Sequence, residues 1–172
     1  LRKLIRFYFL AGSVSVLILA MFSYETLLVF TNADYFGASG VMPFLYVSVF
    51  FTGIGMFSVG VHLSGKTYIS SLIVMFSALL NLGLNYLFIP DYGFVGAGFS
   101  TMISLWVNHV VYYLISSRYY FFFSASRVIL NTTILLILAL ALVLSERMDL
   151  YYPVVLTVKI LIAVAALSIT FV

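Results

Sequence analysis

Residues 81–101 read NLGLNYLFIPDYGFVGAGFST, and the fold is decided there. The stretch closes one long apolar segment, turns within a few residues, and opens the next with small and polar side chains. Asn81 and Asn85 stand one helical turn apart before the turn. After it, Gly96, Ser100, Ser104 and Asn108 recur every four residues. Amides and hydroxyls aligned along helices this apolar are costly against acyl chains, so both rows should face protein or a water-filled path. A connection this short makes the two helices antiparallel neighbours. With the rows facing each other, Asn85 lies level with Ser100, Asn81 with Ser104, and Ser77 with Asn108. Gly96 in that row lets the two backbones approach closely.

The totals agree with such a hairpin. Of 172 residues, 65% are hydrophobic and 8% charged, with a mean hydropathy of +1.22. Those values exclude an ordinary water-soluble domain and predict an all-α, polytopic membrane helix bundle. A bilayer core needs roughly 20 apolar residues per crossing. Six segments qualify or nearly so: 4–22, 41–63, 68–89, 94–116, 128–144 and 151–172. The chain opens at Leu1 and stops inside an apolar run at Val172, as expected of a piece of a longer protein.

With the first span entering from the cytoplasm, inner loops carry Arg2, Lys3, Arg6, Lys66, Arg118 and Arg127. Outer loops carry Arg147 beside Glu146 and Asp149. This positive-inside asymmetry predicts that both ends of the segment are cytoplasmic. It also accounts for the basic balance without a nucleic-acid partner. Absence of cysteine excludes disulfides and thiolate metal sites, and no metal or cofactor is expected.

In chain order, SYETLLVF (residues 23–30) predicts a short helix lying at the outer surface, with Glu25 solvated in its first turn. Residues 31–40 read as a polar turn, and Pro43 suits the first turn of the second span. Ser48, Thr52, Gly53, Gly55, Ser58 and Gly60 mark that span for close helix–helix packing. His62 closes it, read as a wetted interfacial group in preference to a proton carrier. Pro90 should end the third span, and Gly93 is free to take positive φ in the turn. His109, deep in the fourth span, has two readings. It is a neutral group hydrogen-bonded across helices, or a functional one that meets an anionic substrate or carries a proton. Lys159, within the sixth span, either snorkels to the outer interface, pairs in the interior, or binds an anion.

The pattern N-x-x-L-N-x-x-x-I-P-x-Y-G-x-x-G-A-G-x-S-T, preceded by a span that ends in SGKT (residues 64–67), resembles the carboxy-terminal part of polysaccharide flippases. These are the O-antigen and exopolysaccharide translocases of the multidrug/oligosaccharidyl-lipid/polysaccharide exporter superfamily. Asp34-Tyr35 and Ala38 extend the resemblance, which covers roughly residues 20–125. Gly98 departs from it, where alanine is the more usual residue. The resemblance implies a two-lobe transporter of which this chain forms most of the second lobe. Its substrate would be an undecaprenyl-diphosphate-linked oligosaccharide, moved from the inner to the outer leaflet of a bacterial or archaeal plasma membrane by alternating access. The partners so implied are that lipid-linked substrate, the membrane lipids and the amino-terminal lobe. Residues expected along the path are Asn81, Asn85, Ser100, Ser104, Asn108, His109 and Lys159.

Other readings fit some of the same residues, among them a purely structural membrane subunit, which leaves the Asn/Ser rows unexplained beyond packing. A drug or metabolite exporter, or a lipid II flippase, of the same superfamily shares versions of the Asn-rich helix end and the Gly-Ala start, but the short IPDYG turn leans toward the polysaccharide branch. A membrane enzyme needs positioned acids, bases or metal ligands. The five carboxylates all fall in turns or interfaces, and the two histidines are distant in sequence without a paired acid. No enzymatic activity is therefore expected.

Overall fold

In the computed structural model, residues 2–56, 60–119, 133, 134 and 137 are described. Among them every regular element is helical. The order is α1 (Arg2–Met21), α2 (Ser23–Phe30), a 3₁₀ helix (Ala33–Gly40), α3 (Met42–Gly55), the short α4 (Gly60–Leu63) and α5 (Thr67–Ser116). Two stretches, Met42–Leu63 and Thr67–Ser116, are long and apolar enough to cross a membrane. A third qualifies if Phe7–Ala20 and Ser23–Phe30, bent by 71°, count as one span. The expected spans 128–144 and 151–172, with Lys159, lie outside the described residues.

α5 is a hairpin rather than a rod. Its 50 residues contain one non-helical position, Gly93, at φ 58° and ψ −137°. Only glycine takes such a conformation without steric penalty. The turn therefore sits at Gly93, as the sequence predicts, but Pro90 does not end the helix: the outgoing limb continues through it. A proline this near the hairpin tip frees a single carbonyl, and an exposed helix end lets that group find another partner. The residues expected as a polar turn, 31–40, also differ, winding into the 3₁₀ helix. The surface helix expected over 23–30 is present as α2, with Glu25 exposed in its first turn.

Four helical layers follow: α1, α3, the returning limb of α5 (94–116), and its outgoing limb (67–92). α3 lies between α1 and the returning limb because it is apolar all round. Phe44, Val47, Phe50, Phe51 and Ile54 are buried with Phe9 and Val16 on one side and Met102 on the other. Of the small residues of the second span, Gly53 and Gly60 are in close contact as expected, Gly55 stands in open space, and Ser58 lies outside the described residues. Gly53 lies directly under the Tyr8 ring, with no room for a Cβ, and the Tyr8 hydroxyl donates to the Phe50 carbonyl at 3.2 Å. Tyr8 and Phe50 stack at 5.4 Å. Gly98 is equally crowded by Val41. The outgoing limb is peripheral: only 11% of the most apolar stretch of α5 is buried, and Leu79, Leu82, Tyr86 and Leu87 are exposed.

The bundle has two chemically distinct ends. The 3₁₀ helix rests on the start of the returning limb, with Gly37 facing Phe94 and Gly40 facing Val95. Asp34 therefore shares an end with Asp91 at the hairpin tip. At the opposite end, the Gly60 N–H donates to Ser116 Oγ at 2.8 Å, and Lys66 Nζ stands 5.1 Å from the centre of the Tyr119 ring. Lys66 and Arg118 thus lie together, away from the acids.

Candidate functional site: a polar seam and a cavity below it

The expected path residues divide into two groups. The first lies along the hairpin. Asn81 Nδ2 donates to Ser104 Oγ at 3.1 Å, and lies 3.4 Å from Thr101 Oγ1. Asn85 Nδ2 donates to Asn81 Oδ1 at 3.0 Å, and Ser77 Oγ donates to the Ser104 carbonyl at 2.9 Å. Of the three facing pairs expected, Asn81–Ser104 forms. Asn85–Ser100 and Ser77–Asn108 do not. The reason is local competition: Ser100 Oγ donates to the Gly96 carbonyl one turn back, as hydroxyls on apolar helices commonly do. Asn85 turns to its own helix neighbour instead.

Close approach at the glycine is as expected. A Cβ on Gly96 would lie 2.5 Å from the Phe88 carbonyl oxygen, inside the other limb's backbone. Ser100 is wholly buried and Ser104 nearly so. Neither residue lines the cavity described next. Asn85 Oδ1 is buried without a hydrogen-bond partner among the described residues.

The second group lies one to two turns further along the returning limb. Asn108 and His109 line a cavity of about 410 Å³ between α3, α4 and both limbs, together with Phe51, Thr52, Gly55, His62, Ser70 and Tyr112. Its position follows from where small residues interrupt the packing. Gly55 leaves open space, with nothing within 4 Å of where its Cβ would stand. The Tyr112 hydroxyl and His62 Nε2 are hydrogen-bonded at 2.8 Å. His109 is 2% exposed, and its ring lies parallel to Phe51 with centroids 6.4 Å apart.

His109 Nδ1, His109 Nε2 and Asn108 Oδ1 have no hydrogen-bond partner among the described residues. Leaving such a buried group unmade costs about 1–3 kcal/mol, so three together in one cavity wall are a standing cost to the fold. All three atoms are buried from water, so they lie behind the open surface of the cavity rather than on it. Sequence reasoning named Asn108 and His109 but left out His62, Thr52 and Tyr112. His62 is exposed, as an interfacial group should be, yet it also closes one side of the cavity. The link between His62 and Tyr112 bridges fifty residues, and no local pattern announces it.

Among the described residues no cluster of three or more His, Cys, Asp or Glu side chains is placed to hold a metal ion. In comparison with known proteins, no family model, no curated protein and no solved structure matches this chain.

Proposed function

We propose that the chain is part of a membrane transporter that moves an undecaprenyl-diphosphate-linked oligosaccharide from the inner to the outer leaflet of a prokaryotic plasma membrane. The observation that carries this reading is the cavity. A chain with 65% hydrophobic residues keeps Asn108 and His109 groups without a partner among the described residues in one buried wall, where packing alone would favour apolar side chains. Moving a sugar through about 30 Å of hydrocarbon calls for a polar-lined path of this kind. The motif resemblance of residues 81–101 supplies the substrate class. The gathering of Lys66 and Arg118 at one end and of Asp34 and Asp91 at the other supports an orientation with the cavity nearer the cytoplasm.

On this reading the six-span lobe, its cytoplasmic ends and the partnership with an amino-terminal lobe follow the sequence expectations. Asn81 and Ser104 set the helix register beside the path, while Asn108 and His109 line it. The test is complementation. The intact gene, expressed in a strain that lacks its own polysaccharide flippase and is matched in glycan type, should restore surface glycan. Asn108→Leu should abolish that rescue with protein abundance unchanged. Failure of the intact gene to restore export across matched strains, with resistance to toxic cations gained instead, would transfer the chain to the drug-exporter branch.

A further inference from the structure

We propose that α2, the 3₁₀ helix and the hairpin tip form one plate that seats in the headgroup layer of the outer leaflet, with phospholipid as its partner, and that α2 takes no part in a membrane crossing. This goes beyond the transporter reading and does not depend on what is moved.

The three pieces are joined. Tyr24 of α2 meets Phe36 edge-on, with ring centroids 5.8 Å apart, and Gly37 of the 3₁₀ helix faces the Phe94 ring beside the tip. Ser23 and Leu27 turn inward. Outward, Phe22, Phe30, Tyr35, Tyr92 and Phe94 are each more than half exposed. Single exposed apolar residues need no explanation, but an apolar patch carried on joined elements marks an interaction surface. It lies at the end away from Lys66 and Arg118, which the positive-inside asymmetry makes the outer one.

Charge decides what covers the patch. Glu25, Asp34 and Asp91 are exposed at the same end as these rings. A carboxylate is costly in the hydrocarbon core, and the buried centre of a protein–protein interface is depleted in charged residues. Aromatic rings interleaved with carboxylates suit the boundary layer, where the ring meets acyl chain and the charge stays in water.

Length agrees. α1 by itself has 20 residues, about 30 Å of helix, which matches a hydrocarbon core of about 30 Å. α2 is not needed to complete that crossing. The bend of 71° between Phe7–Ala20 and Ser23–Phe30 lays it across the bundle end instead.

Trp106 is the single tryptophan of the chain, which makes a direct test available. In the intact protein, Trp106→Phe, with any tryptophan outside this chain also replaced, gives a background for one tryptophan at a time. The positions are Phe22→Trp, Phe30→Trp, Tyr35→Trp and Tyr92→Trp. All four are exposed, so ring replaces ring and no core is disturbed. Each variant is reconstituted in vesicles of phosphatidylcholine brominated near either the carbonyl end or the methyl end of the acyl chain, with acrylamide as the aqueous quencher.

All four should lose more emission to the carbonyl-end bromines than to the methyl-end ones, and part of it to acrylamide. Phe22→Trp and Phe30→Trp should report one depth, whereas in a continuing span eight residues of helix would set them about 12 Å apart. Different depths at these two positions overturn the proposal in favour of a broken span. Quenching by acrylamide alone overturns it in favour of a face standing in water, and quenching by neither in favour of one covered by protein. None of these readouts uses export: the plate stands if the chain restores no glycan, and restored glycan does not rescue the plate.

Discussion

The hairpin seam and the cavity below it are built from the same residue types, but most of the seam is paired where the cavity wall is not, Asn85 Oδ1 being the seam's exception among the described residues. Along the seam, Ser77, Asn81, Thr101 and Ser104 satisfy one another or a facing carbonyl. In the cavity wall, Asn108 Oδ1 and both His109 ring nitrogens have no such partner among the described residues. Polar groups paired across two helices hold register, and their net worth is modest, about 0.6 kcal/mol each. Polar groups held buried and unpaired subtract from stability. On the transporter reading, they make physical sense through the cavity they border. The seam should therefore answer to mutation in protein abundance, and the cavity in transport.

The largest effect belongs to the seam's closest contact. Gly96→Leu drives a side chain into the Phe88 backbone, 2.5 Å from where the Cβ would stand. Overpacking against main chain that cannot yield should cost about 3 kcal/mol, read as a collapse of the melting temperature in detergent. An unchanged melt would mean that the limbs do not touch there. Gly93→Ala comes next. Its φ of 58° imposes backbone strain of about 1–3 kcal/mol on any other residue, with open space around the added methyl. Melting should fall accordingly.

His109→Phe sharpens the contrast from the other side. It keeps the ring beside Phe51 and deletes two unpartnered nitrogens, so abundance should hold or rise. Export should fall about tenfold, the equivalent of about 1.4 kcal/mol. Loss of abundance in step with export would make His109 a packing group and erase the distinction. Asn81→Leu should do what His109→Phe does not: lower stability and export together, by at most about 1.7 kcal/mol. The smallest effect is expected of Tyr112→Phe. It removes the hydroxyl bonded to His62 and should cost about 0.5–1.5 kcal/mol, visible as a small shift in melting.

Much of this architecture was legible before any coordinates. Hydrophobic runs of membrane length, the Gly93 turn and the small residues at 53 and 96 each leave a local signature, because each constraint acts within a turn or two of chain. The pairing of Asn81 with Ser104 was readable for the same reason, since a tight turn ties the two helices into one register. Pro90 was misread because its rule describes an average preference, which one freed carbonyl near a helix end can override. The pair Asn85–Ser100 does not form because the Ser100 hydroxyl finds its own backbone, and Ser77–Asn108 does not because Ser77 donates across the gap to the Ser104 carbonyl instead.

By itself, the sequence determined that this is a helical chain of membrane-spanning composition, folded back on itself at Gly93, with asparagine and serine rows turned toward each other. Those features are local, set by hydrophobic length, turn chemistry and helical period. Only the tertiary structure decided which of the row members are spent on holding helices together and which lie beside a cavity. That outcome depends on how α3 and α4 seat against the returning limb, and hence on His62, Thr52 and Tyr112, whose meeting is fixed by packing over fifty residues of chain rather than by any spacing along it.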